Sequence, residues 1–154
     1  MNPDQALLKR YLAHPHTELA IDSNPLALAL RAKFLGRDDG RIRIGFDPSR
    51  EFLQVNGVVK GGIVAAMLDL TAAFASLATL REGQTAATAS LSISLQAAVR
   101  AGPVIGTGFV ERVGRRLIFA RAQLQGGDGS ELLASAHAVM SVLEANQIAG
   151  GQRR

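Results

Sequence analysis

Residues 55–77 read VNGVVKGGIVAAMLDLTAAFASL, and this stretch decides the fold. It leaves a loop at the pair Gly61-Gly62 and continues as a helix-forming run with a single acidic residue, Asp69. From Gly61 to Leu80 the run reaches the length of a membrane span. However, it holds Asp69, Thr71, Ser76 and Thr79, and strand-like segments surround it. It therefore reads as the central helix of a water-soluble fold. Residues three and four apart share a helix face. Around Asp69 these are Ala65, Ala66, Ala72 and Ala73, and Ser76 extends the small stripe. Ile63, Met67, Leu70, Phe74 and Leu77 form a bulky stripe, predicted to pack into a sheet. The small stripe then leaves room for a close neighbour of the carboxylate.

Working outward, Asn2 to Ala13 reads as a short amphipathic helix, with Asn2 as N-cap before Pro3. Leu26–Leu35 and Arg41–Phe46 read as strands joined by hairpin chemistry at 36–40. Asp47–Val59 reads as a loop, and Gly83 as the C-terminal cap of the long helix. Ala86–Val99, Val104–Val113, Arg116–Gln125 and Glu131–Leu143 read as four more strands. One long helix and about six antiparallel strands give an α+β fold. With a single helix able to cover it, the sheet is expected to wrap around that helix. The expected division is an N-terminal helical segment at 1–25, the main domain at 26–145 and a flexible tail at 146–154.

A length of 154 residues suits one domain with a sizeable core. Aromatics make up only 5%, so aliphatic side chains must build that core. The absence of Cys excludes disulfides, thiolate metal sites and a cysteine nucleophile. The N-terminus, MNPDQALLKRYLAHPH, lacks the apolar region of a signal peptide, so a cytoplasmic protein without a membrane partner is expected. The net charge of +4 comes from scattered basic residues, without a basic run interleaved with aromatics. Nucleic acid is therefore not the expected partner; a phosphorylated small molecule suits the basic surface.

A carboxylate among apolar neighbours is costly unless its lone pairs are satisfied. Asp69 is therefore either a structural residue held by backbone N–H or hydroxyl donors, or a base or nucleophile in a shielded pocket. The first N–H groups of a helix lack intrahelical partners and sit at its positive end. Without a Cβ, Gly61 and Gly62 let a phosphate or a carbonyl oxygen approach those groups. The competing reading of the pair is a tight turn or close packing. Eight residues separate Gly61 from Asp69, about 12 Å along the axis at ~1.5 Å per residue. A group bonded to the Gly61 N–H therefore cannot also touch Asp69 of the same helix. If both act on one carbon, they come from antiparallel helices of a two-fold dimer with two composite sites.

The element order and the stretch NGVVKGGIVAAMLDLTAAFA, followed by the alternating strand from Ala86, resemble the hotdog-fold acyl-CoA thioesterases. The closest branch is the PaaI-like, phenylacetate-degradation one, over Leu26 to Leu143. Its usual signature is His-Gly-Gly with an Asp or Glu eight residues after the first Gly, here Gly61 and Asp69. The resemblance implies hydrolysis of acyl-CoA to free acid and CoA. It implies that the Gly61 N–H polarises the thioester carbonyl. Asp69 of the other subunit would act as nucleophile, or as base on a water. It also places Gln54 near the carbonyl and has Thr88 assist the acid or water. Asn56 is a rival to Gln54 in the loop, and Gly62 is a further substrate contact. Arg100, Arg115, Arg116 and Arg121 are candidates for the CoA phosphates. CoA enters only as part of the substrate, and no separate cofactor or metal is implied. A homodimer pairing again into a homotetramer is the implied assembly.

Lys60 departs from the pattern, standing where the family commonly has His. It could hold the loop or meet an anionic group. A hotdog hydratase would need a His paired with an acid. The histidines are His14, His16 and His137, none of them near the helix start. A non-catalytic acyl-CoA binding protein stays open because of Lys60.

Overall fold

Asn2 opens the first helix as its sequence dictates. Its Oδ1 accepts the Gln5 N–H at 2.8 Å, and Pro3 supplies a first-turn residue that needs no donor partner. The computed structural model describes residues 2–144, so the tail expected at 146–154 lies outside the described residues. The described elements are α1 (Pro3–Ala13), β1 (Leu19–Ala20), α2 (Pro25–Ala29), β2 (Lys33–Asp38), β3 (Arg41–Phe46), a 3-10 turn (Arg50–Phe52) within the expected loop, α3 (Gly61–Leu77), β4 (Gln84–Leu95), β5 (Val104–Val113), β6 (Leu117–Gly126) and β7 (Leu132–Glu144). The strands form one antiparallel sheet in the order β1-β2-β3-β5-β6-β7-β4. The sheet wraps α3, which touches all of β3 to β7. This is the hotdog fold.

The structure corrects several expectations. Seven strands are present rather than six, because Leu19–Ala20 adds a short edge strand on β2. Leu26–Leu35 is not one strand. Asn24 caps a short helix there, its Oδ1 accepting the Ala27 N–H at 2.8 Å, and β2 begins only at Lys33. Asn24-Pro25 is an N-cap and first-turn pair, and that local chemistry wins over the apolar run behind it. β2 continues through Gly36 to Asp38, so the hairpin turn narrows to Asp39-Gly40. Both turn residues have positive φ, 46° and 74°, the backbone twist that suits a two-residue hairpin. Helix α3 ends at Leu77, and the Thr79 hydroxyl donates to the Ser76 carbonyl just beyond it. Gly83 (φ 85°) is therefore not the helix cap but a turn residue before β4. β4 itself runs two residues earlier than expected and stops at Leu95.

The sheet-facing stripe of α3 also differs from expectation. Val64, Leu68, Thr71 and Ala75 are buried along with Met67, Phe74 and Leu77, while Ile63 and Leu70 stay half-exposed. The reason lies in β5. A Cβ on Gly106 would stand 2.4 Å from the Thr71 Oγ1, and one on Gly108 would stand 2.5 Å from the Thr71 carbonyl oxygen. These two glycines let the helix backbone settle against the strand, and the Thr71 side fills that contact. Thr71 is polar but satisfied, donating to the Met67 carbonyl at 2.7 Å.

At the far end of α3, Leu7, Leu8 and Tyr11 of α1 join the same core. Tyr11 stacks on Phe34 with ring centroids 4.4 Å apart, and Phe34 meets Phe74 edge-on at 5.1 Å. The Gln5 side chain donates to the Gln84 carbonyl, and Asn2 donates to Thr85 Oγ1 at 2.8 Å. Helix α1 is thus bolted to the start of β4. Among the described residues, no helix is long and apolar enough to cross a membrane.

Candidate active site

Residues 47–60 deliver the chain to the start of α3 through a short hairpin-like turn. Leu53 bridges to Val59, the Gln54 N–H donates to the Val58 carbonyl at 2.7 Å, and Asn56 Oδ1 accepts the Val58 N–H at 3.3 Å. The Asn56 carboxamide is therefore engaged in shaping the turn. Val58 also bridges to Arg100, which ties the loop to the segment after β4. Lys60 is the N-cap residue of α3, and its carbonyl accepts the N–H groups of Ile63 and Val64. Its ammonium donates to the Glu51 carbonyl at 3.3 Å. Of the two roles open to Lys60 in the sequence, this contact favours holding the loop.

The N–H groups of Gly61 and Gly62 precede the first intrahelical bonds and point out of the helix end. Neither glycine has a positive φ. A Cβ on Gly62 would meet nothing within 4 Å, and one on Gly61 would touch only Leu95 Cδ1, at an ordinary 3.5 Å. The tight-turn and close-packing readings of this pair therefore fail within the chain. Gly61 lines a cleft of about 380 Å³ with Gln54, Val58, Val64, Leu95 and Gln96 among its walls. Gln54 and Gly61 are thus brought together.

Asp69 sits two turns further on, half-buried rather than buried. Ala65, Ala66 and Ala73 remain half-exposed around it, whereas Ala72 and Ser76 are taken up by the core. The Thr88 hydroxyl donates to Asp69 Oδ1 at 2.7 Å. Thr88 reaches it because β4 bulges between Thr88 and Ser90, which turns Thr88 to the helix side opposite Met140 while Ser90, Ser92 and Ser94 face away. One chain therefore carries two separated half-sites, Gln54–Gly61 at the start of α3 and Asp69–Thr88 at its middle.

Of the candidate arginines, Arg100 adjoins the Gln54–Gly61 half through its bridge to Val58. Arg100, Arg115 and Arg116 are exposed, and none of them lines the cleft. Arg115 and Arg116 occupy the β5–β6 turn, where the Arg116 carbonyl accepts the Val142 N–H. Arg121 is engaged with Glu111 at 2.5 Å. His137 sits opposite Arg121 and Ser92, on the sheet face away from α3. Leu95 is the site residue that sequence reasoning missed. In the sequence it alternates with Leu91 and Ile93 against Ser90, Ser92 and Ser94, a signal for one apolar face, but nothing there placed it against Gly61.

With this geometry in place, the comparisons with known proteins identify the class. The sequence model of the thioesterase superfamily matches residues 56–133, and the chain belongs to that family. Membership supports thioester hydrolysis as the class of reaction. Among solved structures, the fold is similar to a phenylacetic acid degradation-related protein of Ralstonia eutropha JMP134. That match has 26% identity and a TM-score of 0.74, covering 88% of this chain and 98% of the other. It is also similar to a thioesterase family protein of Silicibacter pomeroyi (20% identity, TM-score 0.75, 92% and 98% covered). A thioesterase of Haemophilus influenzae matches at 20% identity with TM-score 0.74, covering 80% and 85%. The latter two likenesses show the shared fold. No curated protein matches the sequence.

Proposed function

We propose that the protein hydrolyses acyl-CoA thioesters to a free acid and CoA. It does so at two equivalent sites of a homodimer, each joining the Gln54–Gly61 half of one protomer to the Asp69–Thr88 half of its partner. The observation that carries this reading is the glycine pair. Gly61 and Gly62 are not required by the packing or the backbone angles of their own chain, yet they leave two N–H groups open at a helix start.

In this reading the thioester oxygen accepts from the Gly61 N–H, which stabilises the oxyanion as it forms. The Asp69 carboxylate supplies the nucleophile, directly or by taking a proton from the attacking water. The Thr88 hydroxyl holds one carboxylate oxygen and so aims the other. The tetrahedral centre then collapses, the C–S bond breaks, and the CoA thiolate leaves and takes up a proton; where Asp69 itself attacks, water then hydrolyses the acyl-Asp69 anhydride to the free acid and the regenerated carboxylate. The Lys60 contact with Glu51 leaves the start of α3 organised without the family's usual His.

The edge of the sheet supports the dimer. β4 is the terminal strand, and its twelve residues carry neither a charge nor a proline. An uncharged edge strand of this length, bulged at a single point, invites pairing with another chain. The reading is tested by thiol release from a panel of acyl-CoA substrates, phenylacetyl-CoA included. Asp69→Asn is expected to lower kcat by at least a hundredfold while folding is retained. Turnover close to the parent's in Asp69→Asn would remove Asp69 from the mechanism.

A further inference from the structure

Resting on that reading, we infer that Leu95 sets the size of the acyl group and that the cleft beside Gly61 takes only an uncharged one. Three observations meet here. Leu95 Cδ1 lies 3.5 Å from where a Gly61 Cβ would be, so it stands next to the N–H assigned to the thioester oxygen. Leu95 is a large apolar residue that nonetheless stays 58% exposed in the chain, so it is not spent on the core. The remaining walls are short and aliphatic, including Val58, Val64 and Ala97, with Gln54 and Gln96 as the polar side chains.

Within one protomer no charged side chain lines this cleft among the described residues, and the proposed dimer adds only the Asp69 carboxylate, a negative charge, at its carbonyl end. The phosphate-bearing end of CoA needs cations, so that end lies outside the cleft, and the proposal gives the cleft to the acyl group. A carboxylate at the far end of the acyl chain would enter without a counter-charge, which is costly. At about 380 Å³ the cleft lies near the lower end of ligand pockets, which span roughly 300–1,000 Å³. Leu95, at the junction of carbonyl and acyl chain, then decides how much of that space is usable. Truncating it opens the cleft where the first methylenes and any branch or ring must pass.

The test compares kcat/KM ratios, so that a uniform loss of activity cancels. In Leu95→Ala the ratio for the branched 2-ethylbutyryl-CoA over butyryl-CoA is expected to rise at least tenfold, and in Leu95→Phe to fall. Methylene-sized changes in an apolar pocket are worth about 10- to 200-fold in such ratios. The parent should prefer hexanoyl-CoA over adipoyl-CoA, which has the same carbon count with a terminal carboxylate, by at least tenfold. Thermal melts of both variants check that they fold. Hydrolysis with unchanged branched-to-linear ratios in both variants, or equal use of hexanoyl- and adipoyl-CoA, overturns the assignment of Leu95 and its cleft and leaves the thioesterase reading standing. Absence of hydrolysis across the whole panel overturns both.

Discussion

The hydrogen bond from Thr88 to Asp69 makes a specific demand on a single hydroxyl. Thr88→Val keeps the shape and removes the donor, so the carboxylate keeps its place but loses its aim. Activity on the best acyl-CoA is expected to fall about tenfold to a hundredfold, mostly in kcat, with the melting temperature within a few degrees of the parent. A Thr88→Ser variant, which restores the hydroxyl, should recover most of the loss; failure to recover would assign Thr88 a packing role instead. The glycine pair makes the opposite kind of demand. Gly62→Ala meets open space and is expected to hold or raise stability, by up to about 1 kcal/mol from helix propensity, while catalysis drops because a methyl group stands at the N–H. Denaturant melts alongside kinetics separate the two effects. At this scale the sequence was informative where spacing carries chemistry. Gly61 and Asp69 could be singled out because eight residues on one helix forbid a shared ligand. Thr88 entered only through family resemblance, since its reach depends on a bulge that alternation cannot announce.

Between elements, the decisive contact is α3 against β5, and it runs through the absence of two side chains. Gly106 and Gly108 accept Thr71, and the resulting depth decides which face of α3 is left half-exposed to carry Asp69. Gly108→Ala would place a Cβ 2.5 Å from the Thr71 carbonyl oxygen, backbone that cannot swing aside. A loss of about 1–3 kcal/mol in unfolding free energy is expected, read from the urea midpoint. A fully stable Gly108→Ala would mean that the helix sits further from β5. This contact explains why the bulky stripe read from the sequence was only partly right. Helical periodicity finds the apolar side, but glycines on the opposing strand rotate the true contact towards Val64, Leu68, Thr71 and Ala75. The segment Leu26–Leu35 failed for a related reason. An apolar run looks the same in a short helix and in a strand, and the Asn24 cap that settles it lies before the run.

On the scale of the whole molecule, one chain holds two halves that cannot meet. Gly61 and Asp69 are separated by about 12 Å of rigid helix, and β4 beside them is the terminal strand of the sheet among the described residues. A two-fold axis that brings Asp69 and Thr88 of one protomer to Gly61 and Leu95 of the other must exchange the two ends of the stretch Thr88–Leu95. It therefore passes near the middle of that stretch, at Leu91 or Ser92, with the two β4 strands antiparallel. The native chain has no cysteine, which makes the idea accessible to a clean cross-link. A residue on the axis faces its own copy across neighbouring strands, within the ~4.4–6.8 Å Cα separation a disulfide spans. Oxidised under mild conditions, Leu91→Cys or Ser92→Cys should run as a covalent dimer on a non-reducing gel. Gln84→Cys, at the far end of β4, lies more than ~20 Å from the axis at ~3.3 Å per residue and should stay monomeric on the same gel. A covalent dimer from Gln84→Cys, or none from either central position, would place the partner elsewhere on the sheet and leave the two half-sites unjoined. The same cross-link also bears on activity. A Ser92→Cys dimer locked across the axis should hydrolyse acyl-CoA at the parent's rate, because the bond fixes the arrangement in which both sites are complete.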